Sequence, residues 1–318
     1  MRAHRIVTLL TFVFASLVFA ASVYYLGTRF QWGEAFNALL EASFLRLSIL
    51  IVITHFAYIL IRAWRWRSAV RASVPHVAFS EFYWITAVVV SLSNFVPGPL
   101  GEALKIEIMK RRGLLGRLPG IGAFALERIM DLVMISSMGA IGLVFGNFVI
   151  PYYPGLKAGA AVLVALGLLA LCGLLCFDPG GRISLWLAQL RCGGSPKTWA
   201  LMAFLTILSW VLIAINWQIA LSAVQIHLSL SQVLLLISLV TIGAVVSFIP
   251  GGLGVSELVS TTVLTNMGVL AVSAQAGALV LRAYTLVVFL FGLVHLGLWP
   301  FYQKHSHRYQ ITNENSSL

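Results

Sequence analysis

Charge is scarce in this chain. Asp and Glu number 10 and Lys and Arg 21 among 318 residues, so only 10% are charged, whereas a soluble domain carries roughly a quarter. An ordinary soluble fold is thereby excluded. Cysteine is sparse too: Cys172 and Cys176 lie four apart in an apolar stretch, and Cys192 in a short polar one. No CxxC and no Cys/His cluster occurs, so neither a disulfide framework nor a metal site is indicated. The three read as small buried residues. A P-loop, a Ser/His/Asp set and a paired-carboxylate site are missing as well. No catalytic residue is therefore assigned, and the chain is read as a non-enzyme without metal or other cofactor. His55 and His295 sit in apolar runs without ligand spacing and read as core residues.

What abounds is hydrocarbon. The chain is 60% hydrophobic, with a mean hydropathy of +0.95. Apolar segments fall at about 6–26, 44–61, 82–97, 121–146, 158–177, 199–222, 230–249, 255–270 and 277–300. Runs near 20 residues can cross a hydrocarbon core of about 30 Å. No alternating strands of the barrel type appear. The predicted class is all-α, a polytopic integral membrane protein. The run after "MRAHR" exceeds the usual apolar core of a signal peptide and is read as an uncleaved first helix.

The net charge is +11. In a soluble protein that would raise nucleic acid; here it is read as topology, with attraction to anionic lipid headgroups as a second use. With a cytoplasmic N-terminus, Arg2, Arg5, Arg62, Arg65, Arg67, Arg71, Lys105, Lys110, Arg111, Arg112, Arg117, Arg182, Arg191, Lys197, Lys304 and Arg308 fall inside. Only Arg29, Arg46 and Lys157 fall outside. The expectation is a bacterial cytoplasmic (inner) membrane protein with both termini cytoplasmic.

Two stretches break the pattern. "NFVPGPLGE" (Asn94 to Glu102) and "SFIPGGLGVSE" (Ser247 to Glu257) share a Pro-Gly-x-Leu-Gly core. Charge returns soon after the first, at Glu102, Lys105, Glu107 and Lys110. Eleven residues of helix cover only about 16 Å, half the hydrocarbon core. A re-entrant hairpin over about 82–112 is predicted, and its mirror over about 230–270. Residues 1–146 and 147–300 then form inverted repeats of helix, helix, hairpin, helix, with 301–318 as a cytoplasmic polar tail. Such repeats with paired broken helices suggest a transporter with its site between the halves.

A half-helix starting inside a membrane leaves its first N–H groups unpaired, with about half a positive charge there. Such an end takes up anions, phosphate among them. Asn94 and the tip glycines Gly98, Gly101, Gly251, Gly252 and Gly254 are the candidate substrate-binding backbone, since glycine lets a ligand come close. Glu102 and Glu257 admit two readings, helix capping and gating or charge pairing. "ALERIMDLV" places Glu127, Arg128 and Asp131 within an apolar run, and "LVLRAYTLV" does the same for Arg282. Arg128 and Asp131 share a helix face, while Glu127 and Asp131 would repel without a partner. Arg282 has no acid on its own helix and needs Glu102 or Glu257. Arg128 and Arg282 admit a structural ion-pair role and a phosphate-binding one, and the fork-shaped donor favours the second. "RAWRWR" reads as an interfacial anchor: Trp64 and Trp66 at the headgroup level, Arg62, Arg65 and Arg67 toward lipid phosphates.

Taken in order, "RAWRWR", "NFVPGPLGE", "FALERIMDLV", "IPGGLGVSE" and "LVLRAYTLV" resemble the lysylphosphatidylglycerol synthase transmembrane family, also called flippase-like domain proteins. The resemblance runs from the first helix to about residue 300. It implies a membrane protein that moves lipid between leaflets, or one tied to hopanoid or glycolipid pathways. Only the short tail "FYQKHSHRYQITNENSSL" follows residue 300. The resemblance is therefore expected to cover the flippase-like half without an aminoacyl-transferase domain. The expected partner is a membrane lipid with an anionic or zwitterionic headgroup and not nucleic acid. A second copy or a lipid-synthesis enzyme is a further candidate partner. The rival readings are a non-transporting scaffold and an intramembrane lipid-phosphate enzyme.

Overall fold

Ten α-helices make up the regular structure of the described residues, which in this computed structural model are 16–40, 44–71, 73–93, 100–146 and 196–315. Helix α1 is Ser16–Thr28. Then come α2 Trp32–Leu40, α3 Phe44–Val70, α4 Phe79–Ser93, α5 Leu100–Arg111 and α6 Arg117–Phe145. The series ends with α7 Pro196–Ser222, α8 Leu230–Ser247, α9 Val255–Asn266 and α10 Ala271–Asn315, with a 3-10 turn at Pro250–Gly252. Among the described residues there is no strand. The apolar run at 158–177, the three cysteines, Asn94 and Gly98 lie outside them.

Among the described residues five stretches are long and apolar enough to cross a membrane: Leu47–Val70, Arg117–Phe145, Lys197–Ser222, Leu230–Ser247 and Ala271–Lys304. Their outer faces carry exposed Ile53, Phe145, Phe204, Leu290 and Val294. Such a surface suits lipid and would make a soluble protein aggregate. The chain is an all-helical, multi-pass membrane protein. Helices α5 and α9 have 12 residues each and reach only about 18 Å, short of a ~30 Å core. Helix α2, with Glu34 in its first turn, was not anticipated. Its nine residues are too few for a span, and it packs on α10.

The packing is pairwise. Helix α3 lies along α7, and α6 along α8. At the α6–α8 seam, a β-carbon on Gly142 would come within 2.8 Å of the Leu235 backbone, and one on Gly139 within 2.6 Å of Ser238 Oγ. Ser238 Oγ donates to the Ile135 carbonyl at 2.9 Å. Small residues let helices approach where no water drives them together. The contacts from α3 to α10 also obey an exchange rule. Swap α3 with α7, α4 with α8, α5 with α9 and α6 with α10. The pair α4–α10 then becomes α8–α6, α5–α6 becomes α9–α10, α4–α5 becomes α8–α9 and α3–α6 becomes α7–α10. Each of these pairs is in contact.

Two apolar clusters sit at opposite ends of the bundle. One gathers Trp66, Phe82, Met109, Leu126, Met202 and Trp299. The other gathers Ile51, Leu221, Leu236, Leu264 and Val280. The buried charges gather on α3, α5, α6, α9 and α10.

Candidate functional site: a charged cavity beside two helix starts

The turn after α8 is built on left-handed backbone. Helix α8 opens with a reciprocal cap, in which Ser229 Oγ accepts from Gln232 N–H and Gln232 Oε1 accepts from Ser229 N–H. It closes at Phe248, whose φ is 54°. Gly251, Gly252 and Gly254 follow with φ of 63°, 59° and 81°, a region that side chains disfavour and glycine does not. The Pro-Gly-Gly-x-Gly sequence is thus the chemistry the reversal needs.

Glu257 secures the start of α9. Its Oε2 accepts from Gly254 N–H at 2.8 Å, satisfying a donor that every helix start leaves open. Its Oε1 accepts from Arg282 Nε on α10, and Arg282 Nη1 donates to the Gly251 carbonyl at 3.0 Å. Capping and pairing, alternatives in the sequence, coexist in one carboxylate. The third nitrogen of that guanidinium, Nη2, is buried and has no hydrogen-bond partner among the described residues.

The other half repeats the pairing and adds to it. Glu102, in the first turn of α5, accepts from Arg128 Nη2 at 2.9 Å. Arg128 also meets Asp131 at 2.9 Å, one turn along α6. Glu102 receives Arg62 of α3 as well. Asp131 is a hub: it takes Arg62 at 3.2 Å, Arg65 at 2.7 Å and Trp210 Nε1 at 3.3 Å. Behind it Glu127 binds Arg65 at 3.3 Å and Lys105. Lys105 lies over the Trp66 ring, 4.9 Å from its centroid. The two acids of α6 do not confront each other bare, because Arg65 bridges them and further cations flank each. Arg128 Nε, like Arg282 Nη2, is buried without a hydrogen-bond partner among the described residues.

One reading from the sequence is corrected here. Arg62, Arg65 and Trp66 do not anchor the protein at the membrane interface. All three are buried, Arg65 and Trp66 completely. Residues 62, 65, 66 and 69 share the inward face of α3, a spacing of three and four. Only Trp64 is exposed, with Arg67 half-buried. Lys105, counted among the cytoplasmic charges, is 1% exposed. The missed signal was a deficit: Glu127 and Asp131 share one helix with a single nearby arginine, so other cations had to come to them.

The two centres open into one cavity of about 480 Å³, within the roughly 300–1,000 Å³ of ordinary ligand sites. Arg62, Glu102, Arg128 and Asp131 line it from one side, and Gly251, Gly252, Glu257 and Arg282 from the other. Trp210 and Trp217 of α7 and Val240, Ala244 and Val245 of α8 supply apolar wall. Of the expected site residues, Glu127 stands behind this lining, Gly101 is buried on α5, and Gly254 backs onto Ser22. Buried His55 meets Ser91 Oγ at 3.1 Å, as a core residue does, while His295, half-buried, meets the Tyr83 hydroxyl at 2.8 Å. Among the described residues no His, Cys, Asp or Glu group is arranged to hold a metal ion.

A bundle of membrane-crossing helices, two short helices that begin beside partly or fully buried arginines, and one charged cavity between them define an integral membrane protein with an internal polar site. The lysylphosphatidylglycerol synthase TM region matches residues 12–292, and the chain belongs to that family. No curated protein matches it.

Proposed function

We propose that the cavity binds the phosphate of a membrane lipid and that the protein carries that lipid between leaflets. The observation that carries this reading is the pair of buried, unpartnered nitrogens, Arg128 Nε and Arg282 Nη2, on two arginines lining one cavity. A buried donor without an acceptor is costly, and a phosphate oxygen is the acceptor a guanidinium fits best. The connected charges support an anion. Arg62, Arg65, Lys105, Arg128 and Arg282 face Glu102, Glu127, Asp131 and Glu257, leaving one cation in excess.

The exchange rule in the packing supports the inverted repeat. Glu102 pairs with Arg128 and Glu257 with Arg282, at matching places in the two halves. Under that reading α4–α5 and α8–α9 are re-entrant hairpins, both termini are cytoplasmic, and the membrane is the cytoplasmic one. Arg128 then lies 11 residues into α6 from one face and Arg282 11 residues into α10 from the other, about 16 Å each. That is near mid-depth, where transporter sites sit. We assign no enzymatic step, because each carboxylate lining the cavity is already committed to a guanidinium.

The test is direct. The purified chain is examined by native mass spectrometry for retained lipid, and in vesicles for exchange of a fluorescent phospholipid between leaflets. Retention of a phosphate-bearing lipid with exchange above that of empty vesicles is expected. Retention without exchange leaves a lipid-binding scaffold, and retention of phosphate-free lipids alone overturns the reading.

A further inference from the structure

The cavity of about 480 Å³ can take a phosphate and a small headgroup but not the two hydrocarbon chains of a phospholipid. If a lipid binds here, its chains must leave sideways into the bilayer. The lining shows where. Among the described residues around the cavity only two are exposed, Leu132 on α6 and Val245 on α8.

These two belong to one seam. On α6, residues 142, 139, 135 and 132 follow at spacings of three and four, so they share a face. On α8, residues 235, 238, 242 and 245 do the same in the opposite direction. Gly142 meets Leu235, Gly139 meets Ser238, and Ser238 bonds the Ile135 carbonyl. Carried on in that antiparallel register, Leu132 stands opposite Val245. The seam is closed at its glycine end, where no β-carbon fits. At its other end both facing side chains touch the cavity and the outer surface together.

The partner seam under the exchange rule, between α10 and α4, shows no such opening among the described residues, which end on α4 at Ser93. There a β-carbon on Gly292 would come within 2.7 Å of Ser91 Cβ. Leu286 of α10 is exposed but is not part of the cavity lining.

We infer that the α6–α8 seam at Leu132 and Val245 is a lateral portal through which the acyl chains of a phospholipid pass while its phosphate rests on Arg128 and Arg282. The inference rests on the phosphate reading above and adds the site of the chains and the side on which the lipid enters. The apolar pair at the mouth suits hydrocarbon. The single cation in excess behind it suits a lipid with one net negative charge.

The experiment places p-benzoylphenylalanine at Leu132, Val245 or Leu286 in the full chain, reconstituted in vesicles of phosphatidylglycerol and phosphatidylcholine. Lipid adducts after illumination are counted by mass spectrometry. Binding of glycerophosphoglycerol, the headgroup without its chains, is measured on the unsubstituted protein. Adducts of phosphatidylglycerol at Leu132 and Val245 are expected to fall at least fivefold with Arg282→Gln and with excess glycerophosphoglycerol. Those at Leu286, which is exposed and outside the cavity lining, should not change. If the headgroup binds yet adducts at Leu132 and Val245 are as insensitive as those at Leu286, the portal is overturned and the phosphate site stands. If the headgroup fails to bind, the phosphate reading falls and the portal with it.

Discussion

Glu257 and Arg282 hold the turn between α8 and α9 from both sides: the carboxylate takes Gly254 N–H and the guanidinium takes the Gly251 carbonyl. The pair is therefore positioned to fix the tip whether or not a ligand is present. Arg282→Gln should leave folded yield near wild type, because Glu257 keeps its cap, while leaflet exchange falls at least tenfold. Arg282→Lys should recover part of it, since Lys keeps the charge and loses the planar fork. Yield by gel filtration and exchange in vesicles are the two readouts. Low yield for Arg282→Gln, with yield and exchange both restored by adding Glu257→Gln, would mean the pair is structural only.

Asp131 should behave differently from Arg128. It faces Arg62, Arg65 and Arg128 at once, so Asp131→Asn leaves three guanidiniums and Lys105 crowded around only Glu102 and Glu127. Removing one partner of a buried pair costs about 3–5 kcal/mol. The Asn variant should fail to accumulate in the membrane. Arg128→Gln, which leaves Glu102 and Asp131 still held by Arg62, should accumulate and lose exchange. Equal yields for the two variants would count against Asp131 as the hub.

Much of this architecture was legible because the membrane forces it. The apolar runs within the described residues had to be helices, and the Pro-Gly core at 250–254 had to be a break. An arginine without an acid on its own helix had to find one elsewhere, and Arg282 found Glu257. What escaped was the direction of side chains near a helix end. "RAWRWR" has the composition of an interfacial anchor, and composition does not say that Arg62 and Arg65 turn inward while Trp64 turns out. Nor does it say that Lys105, in a charged stretch, is sealed against Trp66 and Glu127. The apolar mouth at Leu132 and Val245 was equally invisible. It depends on the register between α6 and α8, which needs both helices placed.

Gly254 tests the turn itself. Its φ of 81° disfavours any side chain, and a β-carbon there would come within 2.6 Å of Ser22 Cβ on α1. Gly254→Ala should destabilise the protein by about 1–3 kcal/mol from backbone strain alone, with the steric clash on top. Thermal unfolding in detergent should show a lowered midpoint. Adding Ser22→Gly should restore only part of it, since that change removes the clash and leaves the backbone strained. Full restoration would mean the backbone at Gly254 relaxes freely.

The topology of α8 and α9 is the last test. Helix α8 has 18 residues and could cross the membrane by length, about 27 Å, whereas α9 with 12 reaches about 18 Å. If α8 crossed fully, α9 would end in mid-membrane and α10 would have to begin there, with Arg282 pushed toward the far face. If the pair is re-entrant, Gln225 before α8 and Gly268 after α9 emerge on the same, external side, and α10 crosses from there. Single cysteines at Gln225 and Gly268, in a background with the native cysteines replaced by serine, are labelled in intact cells with an impermeant maleimide. Both should label from outside, and a cysteine at Lys304 should label only after lysis. Labelling of Gln225 and Gly268 from opposite sides would remove the re-entrant hairpin, and with it the mirror relation that puts Arg128 and Arg282 at one depth.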